Sequence, residues 1–148
     1  MKSYYDILQD IKTIISAEPF NNTVSSDDIG AIDLDKQNIY PLAHIDIDSG
    51  TIEENHVSFN VSIFFMDIID FNKEESTDLI NGNNNIQDVI NTQFKLAYRV
   101  MRVLQKADLY RNDYQISSAP TFTKQIYNSL RGWSVSFQIS TNGEMTYC

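Results

Sequence analysis

The chain has 148 residues, 42% hydrophobic and 11% aromatic, enough apolar side chain for a globular domain and too much for a disordered polypeptide. Its 11 basic and 20 acidic side chains give a formal net charge of -9, which repels free polyphosphate and argues against a general nucleic-acid binder. One cysteine, Cys148, rules out an internal disulfide, and no apolar run approaches the ~18 residues that a bilayer crossing needs.

These limits set the first expectations. A chain of this length buries roughly 70% of the surface it exposes when unfolded, so residues 1–148 are expected to form a single domain around one core. The opening Met1-Lys2-Ser3-Tyr4-Tyr5-Asp6 has no apolar signal-peptide core, and the lone thiol suits a reducing compartment. The expectation is a soluble protein made in a cytoplasm.

In chain order, Tyr4, Ile7, Leu8, Ile11, Ile14 and Ile15 recur at helical spacing, with Ser3 and Asp6 placed to cap the start and Pro19 and Asn21-Asn22 to end the helix. A short strand is read near Thr23–Ser26. The acidic stretch to Tyr40, with Asp27, Asp28, Asp33 and Asp35, reads as a loop, and Pro41 stops any helix from crossing it. Leu42–Ser49 alternates, Ala43, Ile45 and Ile47 against His44, Asp46 and Asp48, as a half-buried strand does. His56–Ile68 alternates too, but Phe64 and Met66 make both faces apolar at its end, which predicts cover on both sides there, from another segment or a neighbouring subunit. These two strands should form an antiparallel hairpin.

Asp70–Asn85 is a long polar stretch ending Asn81-Gly82-Asn83-Asn84-Asn85, longer than an ordinary turn. A second helix is predicted over Ile86–Leu109, capped by Asn85, with a stripe of Ile90, Phe94, Ala97, Met101 and Leu104 widened by Val89, Val100 and Val103. Arg99, Arg102 and Lys106 lie toward its negative end. Thr121–Ile126 and Gly132–Ser140 are predicted strands, the second alternating Trp133, Val135, Phe137 and Ile139 with small polar residues, and Asn142-Gly143 signals a turn. The order α-β-β-β-α-β-β predicts an α+β fold: an antiparallel or mixed sheet of four to five strands with two helices packed on one face.

Chemistry-bearing patterns are sparse. Asp46 and Asp48 beside His44 present oxygen ligands on one strand face, yet no loop completes a shell, and no metal or cofactor is expected. Asp67/Asp70 and Glu53/Glu54 are carboxylate pairs of the kind an acidic chain carries by composition. His44 and His56 adjoin no nucleophile motif, phosphate loop or zinc-binding pair, so no catalytic residue is assigned. The odd feature is a sheet face of small uncharged residues, Ser58, Asn60, Ser62, Ser134, Ser136 and Gln138, which suits a wet face, another backbone or a lumen.

Four stretches carry a resemblance: Ile32-Asp33-Leu34-Asp35-Lys36-Gln37-Asn38-Ile39-Tyr40-Pro41-Leu42-Ala43-His44-Ile45, Val57-Ser58-Phe59-Asn60-Val61-Ser62-Ile63-Phe64-Phe65-Met66-Asp67-Ile68, Asp88-Val89-Ile90-Asn91-Thr92-Gln93 and Gly132-Trp133. Together they resemble the neck and tail-completion proteins of phages of Bacteroidetes, including the ring proteins of crAss-like phages, which are similar in fold to tail terminators. The resemblance covers about residues 3 to 148. It implies a non-enzymatic virion subunit, assembled in the host bacterial cytoplasm as a homo-oligomeric ring, hexamer or dodecamer. Such a ring lies between portal and tail, contacts neighbouring ring or tube proteins, and lets DNA pass through its lumen without specific binding. The residues expected at its interfaces are Asp33, Asp35, Ser58, Asn60, Ser62, Phe64, Met66, Asn81, Asn83 and Asn84. The alternatives are a small carboxylate-dependent enzyme built on His44, Asp46 and Asp48, or a chaperone used only during assembly.

Overall fold

The computed structural model describes residues 4–26, 39–54, 56–69, 80, 85–111, 114–116, 119–127 and 129–142. Two helices, α1 (Tyr4–Ser16) and α2 (Ile86–Arg111), accompany six strands: β1 (Thr23–Ser26), β2 (Leu42–Ile52), β3 (His56–Ile68), β4 (Tyr114–Ile116), β5 (Thr121–Tyr127) and β6 (Leu130–Asn142). The strands form one sheet in the order β1-β2-β3-β6-β4, with β5 also paired to β6. β1 runs parallel to β2 and every other pairing is antiparallel, so the sheet is mixed. The α+β class and the packing of both helices on one sheet face are as expected.

The additional strand is β4. Three residues are too few to display alternation, so its sequence gives no period to read. β4 and β5 share one edge of β6, β4 opposite residues 139–141 and β5 opposite residues 130–136. Pro120 lies between them and has no N–H to offer a ladder.

The core follows from two periodicities meeting. Ile7, Ile11 and Ile15 recur every fourth residue and form one buried stripe on α1. Leu96, Ala97, Val100, Met101 and Leu104 form the facing stripe on α2. Both rest on alternate residues of the three long strands: Ala43 and Ile45 on β2, Val61, Ile63 and Phe65 on β3, and Val135, Phe137 and Ile139 on β6. Trp133 ties β6 to the helix layer, because its Nε1 donates to the Ile90 carbonyl at 3.0 Å while its ring meets Phe94 edge-on at 5.1 Å. Phe94 also reaches Phe122 of β5 at 5.3 Å.

Gly132 is required where it stands. A Cβ there would lie 1.8 Å from the Phe65 carbonyl oxygen, so any side chain pushes β6 away from β3.

Two details differ from the sequence reading and a third agrees with it. β2 runs three residues beyond Ser49, to Ile52, through a register shift between Ile47 and Ser49. The α2 stripe is rotated from the expected one: Phe94 and Val103 are exposed, Leu96 is buried, and the stripe contains Gln93, which is fully buried. The second apolar face at the end of β3 is covered in part by the chain itself, since Met66 packs in a small cluster with Tyr40, Leu42 and Leu130, with Phe64 against it.

Candidate functional site

The sheet face away from the helices carries the expected interface residues of β3. On it the small polar side chains pair with one another across the strands. Ser62 Oγ and Ser136 Oγ lie 3.1 Å apart, Ser58 Oγ and Ser140 Oγ 3.0 Å apart, each pair on residues directly opposite in the β3–β6 register. Asn60 Nδ2 donates to Ser49 Oγ at 2.8 Å. Uncharged residues therefore suit this face because each finds a short polar partner on the next strand. Ser58 is buried, Asn60 is exposed and Ser62 is half-buried. Phe64 is half-buried 6.3 Å from the His44 ring, and Met66 is buried. Asp33, Asp35, Asn81, Asn83 and Asn84 lie outside the described residues, as do most of the two loops Asp27–Tyr40 and Asp70–Asn85.

The possible cation site breaks up at a bulge. Asp46 opposes Ser62, but past Ile47 the partner of Asn60 is Ser49, which leaves Asp48 as the additional residue of the bulge and out of the alternation. Strict period two places Asp46 and Asp48 on one face only if no residue is inserted. Among the described residues no group of three His, Cys, Asp or Glu is placed to hold a metal ion. Glu53 and Glu54 sit at the β2–β3 turn, where Glu53 Oε2 meets His56 Nε2 at 3.0 Å. Asp67 accepts the Ile68 N–H at 2.8 Å.

Two arrangements escaped the sequence reading. The first is a serine–histidine contact: parallel pairing sets Ser25 beside His44, and Ser25 Oγ lies 2.8 Å from His44 Nδ1. The His44 ring is 1% exposed, so its burial closes it to a substrate. Only the tertiary pairing of β1 with β2 brings the two together, and no local motif announces it.

The second is an open groove of about 330 Å³ lined by Phe20, Thr92, Lys95, Leu96, Tyr98 and Arg99. It forms where the chain leaving α1 passes α2. Glu18, nearly buried, holds Arg99 with Oε2 and Nη2 3.1 Å apart. Phe20 is 59% exposed and Tyr98 is 50% exposed, with the Arg102 guanidinium 5.9 Å from the Tyr98 ring centre. Lys95, Arg99, Arg102 and Lys106 follow at intervals of four, three and four, so they share the outer face of α2. That spacing is the sequence signal for the groove, because the helix dipole accounts for Arg99, Arg102 and Lys106 near the C-terminal end but not for Lys95.

At the β2–β3 hairpin the end of β2 is an open sheet edge, while β3 stays paired with β6 as far as His56 opposite Asn142. Residues 48–52 are exposed on both faces, and Ile52 at the tip is 84% exposed. The tip is nonetheless fixed by the ladder, with Ile52 opposite Val57 and the Glu53 N–H donating to the His56 carbonyl at 2.8 Å.

No protein-family model matches this chain, and no curated protein is significantly similar to it. Among the described residues no helix is long and apolar enough to cross a membrane.

Proposed function

We propose that this protein is a structural ring subunit of a phage neck or tail, closing with copies of itself around the DNA channel between portal and tail. The observation that carries the reading is the exposed end of β2 at the β2–β3 turn. A large aliphatic side chain held 84% exposed on a paired strand end gains nothing for the protomer's own core, and an open apolar edge of this kind is a surface that a neighbouring copy can cover. The net charge of -9 supports the same reading, since a negative lumen repels passing DNA. So does the sequence resemblance described above. In this role the mechanism is geometric: one surface of each copy meets a different surface of the next, and the rotation between them closes a hexamer or dodecamer.

Native mass spectrometry and negative-stain images of the purified chain test this. A discrete multiple of the protomer mass and ring-shaped particles are expected. A protomer that stays single at every concentration ends the reading. Mass spectrometry of purified virions separates a structural subunit from an assembly chaperone, which leaves the mature particle. The alternative enzyme reading rests on His44, Asp46 and Asp48, and alanine at all three tests it: an activity lost while fold and assembly persist favours it, and no change in any activity removes it.

A further inference from the structure

Two features of the surface complement each other in apolar character and in charge. The first is the tip of the β2–β3 hairpin, where exposed Ile52 is followed by Glu53 and Glu54, with Asp48 in the bulge below. The second is the groove on α2, lined by the apolar groups of Phe20, Leu96 and Tyr98 and by Lys95 and Arg99, the latter already paired with Glu18. Lys95 makes no ion pair among the described residues. Four of the chain's 11 basic side chains, Lys95, Arg99, Arg102 and Lys106, line this one helix face.

We infer that the hairpin tip of one copy docks in the α2 groove of a second copy, Ile52 meeting its apolar lining and Glu54 facing Lys95. This deepens, and rests on, the ring-subunit reading above. Charge selects the occupant. Copies with a net charge of -9 repel one another in most orientations, and a contact that sets an acidic tip on a basic stripe is among the few that attract. Preorganisation supports it too, because the ladder already fixes the tip and docking orders little new chain. Finally, knob and groove lie on different elements, so each copy offers both. A contact of that kind is head-to-tail, and it propagates until the rotation closes.

The test uses the full chain in analytical ultracentrifugation, with circular dichroism to confirm folding. Ile52→Asp removes the knob, and Tyr98→Asp with Lys95→Glu spoils the groove; all three positions are exposed, so the fold is retained. Either change is expected to weaken self-association by roughly tenfold or more. Mixed in equal amounts, the two variants give a one-to-one dimer and nothing larger, because each keeps one intact surface. Glu54→Lys combined with Lys95→Glu in a single chain recovers assembly lost by Lys95→Glu alone. Rings that persist in both variants, or variants that lose rings yet form no mixed dimer, overturn this contact and leave the ring reading standing. A wild-type chain that is single at every concentration ends both, as does a groove that serves a different protein while the chain remains single.

Discussion

The two faces of the sheet are built from the same strands and held by different forces. Under the helices, Ala43, Ile45, Ile63, Phe65 and Val135 are each no more than 1% exposed, and the buried polar residue that β6 adds to this face, Thr141, lies at its end opposite Val57. On the other face, serines meet serines at 3.0 and 3.1 Å, and apolar packing is confined to the end around Tyr40, Leu42, Met66 and Leu130. The first face depends on shape and exclusion of water, and its loss is felt by the whole fold. The second depends on pairs worth little each, and it tolerates change. A surface that tolerates change is free to serve assembly.

The largest effect should come from the covered face. Phe65 is wholly buried between the helix layer and β3's neighbours. Phe65→Ala should cost about 3–5 kcal/mol in urea unfolding, a loss that also leaves a cavity. A cost near 1 kcal/mol, typical of an average substitution, would mean the helices do not seal this face.

Gln93 breaks the rule of its own face. It is fully exposed to the core and closed to water, and neither amide atom finds a hydrogen-bond partner among the described residues. A buried amide left unpaired costs about 1–3 kcal/mol. Gln93→Met keeps the length and removes both polar atoms, and should raise stability by about that amount. If it lowers stability instead, the amide is engaged in the native protein and the helix-covered face is less dry than its neighbours.

Trp133 is the chain's only tryptophan, and its fluorescence reports the seam between β6 and α2. Trp133→Phe removes the donor to the Ile90 carbonyl and part of the contact with Phe94, for an expected cost of about 1–2 kcal/mol. In the same experiment Phe94→Leu should shift the Trp133 emission without unfolding the chain, as Phe94 is already 37% exposed.

Much of this architecture is legible from period alone. The alternation of Val57, Phe59, Val61, Ile63 and Phe65 and of Trp133, Val135, Phe137 and Ile139 marks two long strands and the face they turn to the core. The threefold and fourfold spacing of α1 does the same for its buried stripe. What period cannot carry is an inserted residue: the bulge after Ile47 removes Asp48 from the face that alternation assigns it. Nor can it carry burial at a strand end, since Ile52 belongs to the same strand as Ile45 and yet is 84% exposed. A buried glutamine reads as a break in a helical stripe, so Gln93 turned the expected face of α2 toward Phe94 and Val103, both of which are exposed. The Ser25–His44 contact joins residues far apart in the chain that only strand pairing makes neighbours, and the α2 groove takes a local helix face and adds the distant Phe20 to it.

The smallest effects compare two pairs on the open face. Ser58 is 3% exposed and bonded to Ser140, whereas Ser62 is only half-buried and its partner Ser136 is exposed. Removing one hydroxyl from the buried pair strands the other, so Ser58→Ala should cost about 1 kcal/mol. Removing one from the wetter pair lets water replace it, so Ser62→Ala should stay within about 0.5 kcal/mol. Paired urea titrations resolve that difference, and equal costs would mean that Ser62 is as dry as Ser58. Such dryness has a physical source only in a cover over the face, so measuring the Ser62→Ala cost in both the single and the assembled chain asks whether a neighbouring copy supplies that cover.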